Sequence, residues 1–304
     1  VRMSPQLHNM LYGGHAHDFA QTIRLGGFRP TVFMSHGLEL AAWMTSALLI
    51  GTWLWYTKSG RLLFGIPLNV SVPILFLTFI AIRSTGAYFL FALGFSILLF
   101  GVIFRSALPV YACVVGIFAY LAINSLTDSY ISDQIIDFMS ALLPPDRVGS
   151  LEFRFNNEEI LADKARQRIL FGWGGWGRNR IYDAQGNDIS VTDSLWIIAF
   201  GINGLIGLVS LYSTLLLPVV SVFMTKCSPR LWDSRQMAPV AALAVTLLLF
   251  SIDSLLNAMV NPVFILVCGA LTGYVVAPSR RKIKLPRNRL SLEIPPSSVE
   301  GIQN

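Results

Sequence analysis

Gly86–Phe104 reads GAYFLFALGFSILLFGVIF, with Arg83 shortly before it and Arg105 directly after. No Asp, Glu, Lys or Arg interrupts the run. An α-helix rises about 1.5 Å per residue, so this stretch covers the roughly 30 Å hydrocarbon core of a bilayer. A surface helix of a soluble protein keeps a polar face, and this one has none. It reads as a membrane-spanning helix.

Outward from it, the same character recurs at Gly37–Tyr56, Leu63–Ile82, Ala107–Asn124, Leu195–Phe223, Ala238–Val260 and Pro262–Ala277. The 304 residues are 54% hydrophobic and only 13% charged, with a mean hydropathy of +0.58. Soluble domains carry about 25% charge, so this balance excludes a water-soluble globule, a disordered chain and a disulfide mini-protein. The expectation is an all-α fold, a polytopic membrane helix bundle of about seven transmembrane helices. Internal Pro67, Pro73, Pro109 and Pro218 are compatible with it, because neighbouring helices satisfy the freed carbonyls. The fifth run is overlong and so begins in the interface or tilts, whereas the last is short and abuts Asn261-Pro262.

Lys and Arg in short loops orient such a bundle. Lys58 and Arg61, then Arg105, then Lys226, Arg230 and Arg235, then six cations from Arg280 to Arg289 all fall on one side. That side is expected to be cytoplasmic. The opposite, outer side takes residues 1–36, Arg83, the turn at 259–262 and one large helical loop, 125–194. That loop holds eleven Asp/Glu against seven Lys/Arg. The resulting divisions are an outer-face segment at 1–36, four helices in 37–124, the loop at 125–194, three helices in 195–278 and a disordered basic tail at 279–304. The net charge of +6 is thus a property of one face and implies no nucleic-acid partner. Cys113 and Cys268 fall in spans and Cys227 on the basic side, so no disulfide framework is expected. Residues 1–36 contain no signal-peptide core. Entry into the first span from outside predicts earlier spans, and hence an N-terminally truncated chain.

Within the loop, apolar residues from Ile131 to Leu143 recur at helical spacing and predict an amphipathic helix over 128–143, ended by Pro144-Pro145. A second, charged helix is predicted from about Glu152 to Ile169. Then comes Phe171-Gly172-Trp173-Gly174-Gly175-Trp176-Gly177, which contains G-x-G-x-x-G. A dinucleotide site would need a strand before it and a helix after it, and neither is there. Two readings remain: a tight turn whose glycines let backbones pack closely with Trp173 and Trp176 at the interface, or an anion nest completed by Arg178 and Arg180. A polar, hairpin-like stretch follows at Tyr182–Asp188.

Several polar residues are candidates for chemistry. His15, His17 and Asp18 lack a third and fourth ligand at a zinc-like spacing, so they read as solvated loop residues and no metal site is expected. His36 and Glu39 share a face at the outer end of the first span, and Asp253 and Asn257 form an i, i+4 pair in the sixth. A carboxylate inside a span is costly unless paired, which makes each a functional candidate beside its structural role. Arg29, Arg83 and Arg154 lie in three segments near the outer boundary, against the usual inward bias of positive charge. Brought together they would make a cationic pocket for a pyrophosphate or lipid phosphate; apart, each would anchor in headgroups.

The order of these elements resembles the O-antigen ligase/polymerase superfamily of bacterial envelope glycosyltransferases. The resemblance is carried by Arg29–His36 ahead of a span and by the turn Arg83-Ser84-Thr85-Gly86-Ala87-Tyr88. It continues with Arg154 leading a helix that closes on Phe171-Gly172-Trp173-Gly174, and with Asp193-Ser194-Leu195-Trp196 followed by Gly204-Leu205-Ile206-Gly207. It covers about residues 24–275. The resemblance implies transfer of a glycan from undecaprenyl pyrophosphate to a hydroxyl of a lipid or glycan acceptor, at the periplasmic face of the inner membrane. It implies no metal or cofactor, with Arg29, Arg83, Arg154 and Arg178 on the pyrophosphate. Asp193 stands where ligases have His, and Thr85 where the turn often has Arg. Asp193 becomes the expected base and His36 the second candidate, while Arg83 supplies the charge missing at Thr85. A polymerase is the neighbouring alternative. A transporter or scaffold is the further one, although a transporter would carry an inverted repeat and discontinuous helices that the sequence does not display.

Overall fold

The computed structural model describes residues 23–127 and 145–278 apart from 25–26, 33, 64, 142–144 and 176, together with short pieces at 10–11, 13, 136–138 and 140–141. The histidine-rich segment 15–18, most of the expected amphipathic helix at 128–143, Trp176 and the basic tail lie outside the described residues.

Two short strands, β1 (Ile23–Arg24) and β2 (Gly27–Phe28), pair antiparallel and lead into α1 (Gly37–Tyr56). A second hairpin, β3 (Leu62–Leu63) with β4 (Ile66–Pro67), precedes α2 (Leu68–Ala81). Then follow α3 (Thr85–Phe104), α4 (Leu108–Leu126), α5 (Pro145–Arg166), α6 (Leu195–Thr225), α7 (Ala238–Asp253) and α8 (Pro262–Val276). Of these, α1, α3, α4 and α6 are long and apolar enough to cross a membrane, and α2, α7 and α8 are shorter apolar helices. The protein is an all-α bundle of membrane type.

Two expected helices shrink for local reasons. Residues 62–67 form a hairpin instead of the start of α2, with Gly65 at φ +82 in its turn and Pro67 as N-cap. After Asp253 the chain leaves α7 through loosened turns, with Leu255 N–H bonding back to Ile252 O and Leu256 N–H to Asp253 O. The charged loop helix starts earlier than expected, at Pro145, where proline is tolerated because the first N–H groups of a helix have no internal partner.

The helices alternate in direction. At one end the ends of α4 and α7 bond to the 145–194 loop, Arg166 Nη1 donating to Asn124 O (3.0 Å) and Arg154 Nη1 to Leu256 O (3.1 Å). There too Asn261 beside α8 donates to Glu39 at the start of α1; this is the loop end. At the other, basic end, Trp53 Nε1 donates to Trp232 O (3.2 Å) and Lys226 Nζ to Ala277 O (3.0 Å). Lys58, Arg61, Arg105, Lys226, Arg230 and Arg235 all belong to connections at that end. Trp232 plugs it, filling the space over Gly101, where an added Cβ would fall 2.0 Å from the indole.

The most central helix is α7. Ala238, Ala241, Ala242, Ala244, Val245, Leu247 and Leu248 are all fully buried, and the small alanines let α1, α3, α6 and α8 approach closely. Its C-terminal Asp253 is thereby carried to the middle of the loop end. The outside of the bundle is apolar: Leu77, Phe89, Ile103, Val115, Leu217 and Leu266 are all more than half exposed, as expected of side chains that face lipid.

Helix α6 is broken at Gly204 (φ 66, ψ −163). A break leaves carbonyl and amide groups without helical partners, a severe cost away from water. Residues 169–174 supply them. Trp173 and Gly174 N–H donate to Gly201 and Ile202 O (both 2.9 Å), while Leu205 and Ile206 N–H donate to Ile169 and Leu170 O (2.8 and 3.3 Å). The overlong fifth run is therefore two helical pieces. The second, 205–225, is by itself long enough for a roughly 30 Å core.

Candidate functional site

The loop end gathers the charged residues into a connected layer. Arg154, on α5, donates from Nη1 to Asn257 Oδ1 (2.8 Å) and to Leu256 O (3.1 Å), and its Nε faces Asp193 Oδ2 at 3.7 Å. Asn257 in turn donates to Asp253 Oδ1 (2.7 Å). The loosened turn after α7 thus presents a carbonyl and an amide oxygen to one guanidinium.

Arg29 reaches the same layer from the opposite side. It is buried, donates from Nη2 to Ser84 Oγ (2.9 Å), and acts with Arg154 on the Asp253 carboxylate through charge. Its stem crosses the first residue of α1 so closely that a Cβ on Gly37 would fall 2.4 Å from Arg29 Cδ. Arg83, in the left-handed region (φ 55) at the α2–α3 turn, lays its guanidinium over Gly27, where a Cβ would fall 1.9 Å from Nη1. Gly27 is two residues from Arg29, and Ser84 follows Arg83, so the two arginines share one corner. Arg178 is exposed beside Gly175, and none of the hydrogen bonds and ion pairs that join Arg29 and Arg154 to their partners among the described residues includes it.

His36 and Glu39 have structural duties. His36 is the N-cap of α1, its Nδ1 accepting from Leu38 N–H (3.0 Å). Glu39 accepts from Ser35 N–H and Oγ, and its other oxygen accepts from Asn261 Nδ2 (2.9 Å), tying α1 to the α7–α8 turn. Asp193, by contrast, keeps 37% of its side chain exposed next to Arg154. It is the accessible carboxylate of the layer.

One residue of the site was not singled out from the sequence. Glu158 stands one turn beyond Arg154 on α5 and is only 5% exposed. Tyr120 OH donates to its Oε2 (3.3 Å). The Ser194 hydroxyl and Trp196 indole are near enough to favour its charged form, yet neither completes a hydrogen bond, and Oε1 is left without one. Burial dominates and pushes the carboxyl up to about 7, against the opposing influence of Ser194, Trp196, Tyr120 and Arg154. The available signal was its i, i+4 spacing from Arg154.

The glycine segment is a packing device. The Gly172 amide donates to Arg168 O, and those of Trp173 and Gly174 to the broken helix, so these amides are not available to an anion. Trp173 Nε1 donates to Lys164 O (2.8 Å), and Lys164 and Arg168 cover the ring. Arg180 pairs with Asp188 inside the Tyr182–Asp188 hairpin. Among the described residues no group of three or more His, Cys, Asp or Glu side chains is arranged to hold a metal ion.

Comparison with family models, curated proteins and solved structures finds no match to this chain.

Proposed function

We propose that the chain is an envelope polysaccharide glycosyltransferase of the O-antigen ligase type. It would move a glycan from undecaprenyl pyrophosphate to a hydroxyl acceptor at the periplasmic face of the bacterial inner membrane. In this reading all seven apolar helices cross the bilayer and the loop end is periplasmic.

The observation that carries the reading is the convergence of Arg29 and Arg154 on Asp253, with Arg83 beside Arg29. A pyrophosphate leaving group needs its charge met as its bond to the sugar breaks, and guanidinium groups held in advance do this in a partly dehydrated site. Asn257 and Leu256 O hold Arg154 in place without substrate, and the Ser84 hydroxyl holds Arg29. Asp193 accepts the proton of the acceptor hydroxyl while the new glycosidic bond forms and the pyrophosphate departs with the bonding electrons. A polymerase would use the same layer, the acceptor being a second carrier-linked glycan.

The break in α6 favours a transporter reading, since discontinuous helices line many transport sites. Against it, four of the backbone groups at the break are already bonded to residues 169–174, so they are not available to a substrate or ion. The deciding experiment is the state of carrier-linked glycan in cells lacking the full-length gene, resolved on a gel with an anti-glycan stain. Long chains retained on the carrier identify a ligase, and single repeats a polymerase. An unchanged pattern overturns both.

A further inference from the structure

A cavity lies at the basic end, away from the arginine layer. It has a volume of about 830 Å³, within the size range of small-molecule sites, and is lined among others by Trp55, Tyr56, Lys58, Arg61, Asn69 and Arg235. Three segments meet there: the end of α1 with the residues that follow it to Arg61, the start of α2 just after the β3–β4 hairpin, and the α6–α7 connection. Lys58, Arg61 and Arg235 are all exposed and form no ion pair among the described residues, and neither does nearby Asp233. Like charges repel, so a cleft that collects three of them is suited to an anion.

The hairpin identifies the source of that anion. Leu62 (63%), Leu63 (41%) and Ile66 (49%) are exposed although apolar, and they project from the same short segment that carries Arg61. Leu68 N–H donates to Arg61 O (3.1 Å), closing the hairpin against the cleft. Trp55 and Tyr56, each about half exposed, stand at the end of a spanning helix, where aromatic side chains occupy headgroup depth. An apolar hairpin seated in the leaflet puts the neighbouring cations at the level of lipid phosphates. We infer that this cleft binds the headgroup of an anionic phospholipid from the leaflet at the basic end. Arg61 and Arg235 take the phosphate oxygens, Lys58 adds charge at the rim, and Trp55 and Tyr56 pack on the glycerol region. This site is separate from the arginine layer and does not depend on the proposed transfer reaction.

The test is native mass spectrometry of the purified full chain in detergent, titrated with phosphatidylglycerol and with phosphatidylcholine of matched acyl chains. Phosphatidylglycerol should be retained about fivefold or more over phosphatidylcholine, and the double variant Arg61→Gln/Arg235→Gln should lose about tenfold of that binding. Both residues are exposed, so the variant should melt with the wild type. Arg105→Gln removes a cation from the same end outside the cleft and should leave the preference intact. Equal retention of the two lipids, a preference that survives the double variant, or an equal loss in Arg105→Gln each overturns the site. Phosphatidylglycerol displaced by millimolar inorganic phosphate with no preference between lipids would reassign the cleft to free phosphate and overturn the lipid.

Discussion

Gly172 and Gly204 meet backbone to backbone. A Cβ on Gly172 would fall 2.6 Å from Gly204 N and 2.5 Å from Ile202 C, and one on Gly204 would fall 2.3 Å from Leu170 O. This contact fixes the segment that follows α5 to the break in α6. It therefore sets where Arg154 stands relative to Asp193, which enters α6 from the other side.

Gly204→Ala should be strongly destabilising. Its backbone (φ 66, ψ −163) is one that only glycine adopts readily, and the added methyl meets backbone rather than a movable side chain. Strain and clash together should cost about 3 kcal/mol or more, seen as a melting temperature lowered by several degrees in detergent. Gly174→Ala is the control. Its φ is +60 but nothing lies within 4 Å, so only the left-handed penalty of about 1–2 kcal/mol applies. Equal melting of the two variants would refute the close-packing account.

Gly27→Ala should impair function while sparing the fold. The methyl would collide with the Arg83 guanidinium, the far end of a flexible side chain that can swing away. The charge is kept and its position lost. In cells complemented with this variant, surface glycan should fall severalfold at unchanged protein level. Full activity would show that the placement of Arg83 over Gly27 is immaterial.

Arg154 is best read through two substitutions. Arg154→Ala strands Asn257, Leu256 O and Asp193 at once, with a cost to stability of about 2–3 kcal/mol, and should abolish glycan transfer. Arg154→Lys keeps the charge but not the planar fork, and should retain partial transfer. Arg178→Ala, outside this layer, should cost little. Wild-type surface glycan in Arg154→Ala would remove the arginine layer from the mechanism.

Much of the architecture was legible because a spanning helix is read from a long uninterrupted apolar run. Gly37–Tyr56 coincides with its helix at both ends, and Gly86–Phe104 differs by one residue. Leu63–Pro67 misled because a short apolar stretch suits a hairpin as well as the start of a helix, and the glycine at 65 decided it locally. The polar residues near the loop end could be named from position and charge. Their joining could not, since Arg29 meets Ser84 and Arg154 meets Asn257 across 55 and 103 residues. Glu158 sat in a helix full of charges, and its burial depends on Tyr120 and Trp196 in two other helices.

Glu158 makes stability depend on pH. Its carboxyl is raised from 4.5 to about 7 by burial, so the folded state holds a proton that the unfolded state has already released. Such a group contributes its full stability below about pH 4.5 and loses it as pH rises through about 7. The difference is worth about 3 kcal/mol at pH 8, from roughly 1.4 kcal/mol per pKa unit. Glu158→Gln keeps an acceptor for Tyr120 OH and cannot ionise. The variant should melt with the wild type near pH 5 and above it by several degrees at pH 8. The measurement is the melting temperature of both chains across pH 5–8. A wild-type curve that runs parallel to the Gln curve over that range would mean that Glu158 is ionised throughout, and that Arg154 and the Ser194 hydroxyl outweigh its burial.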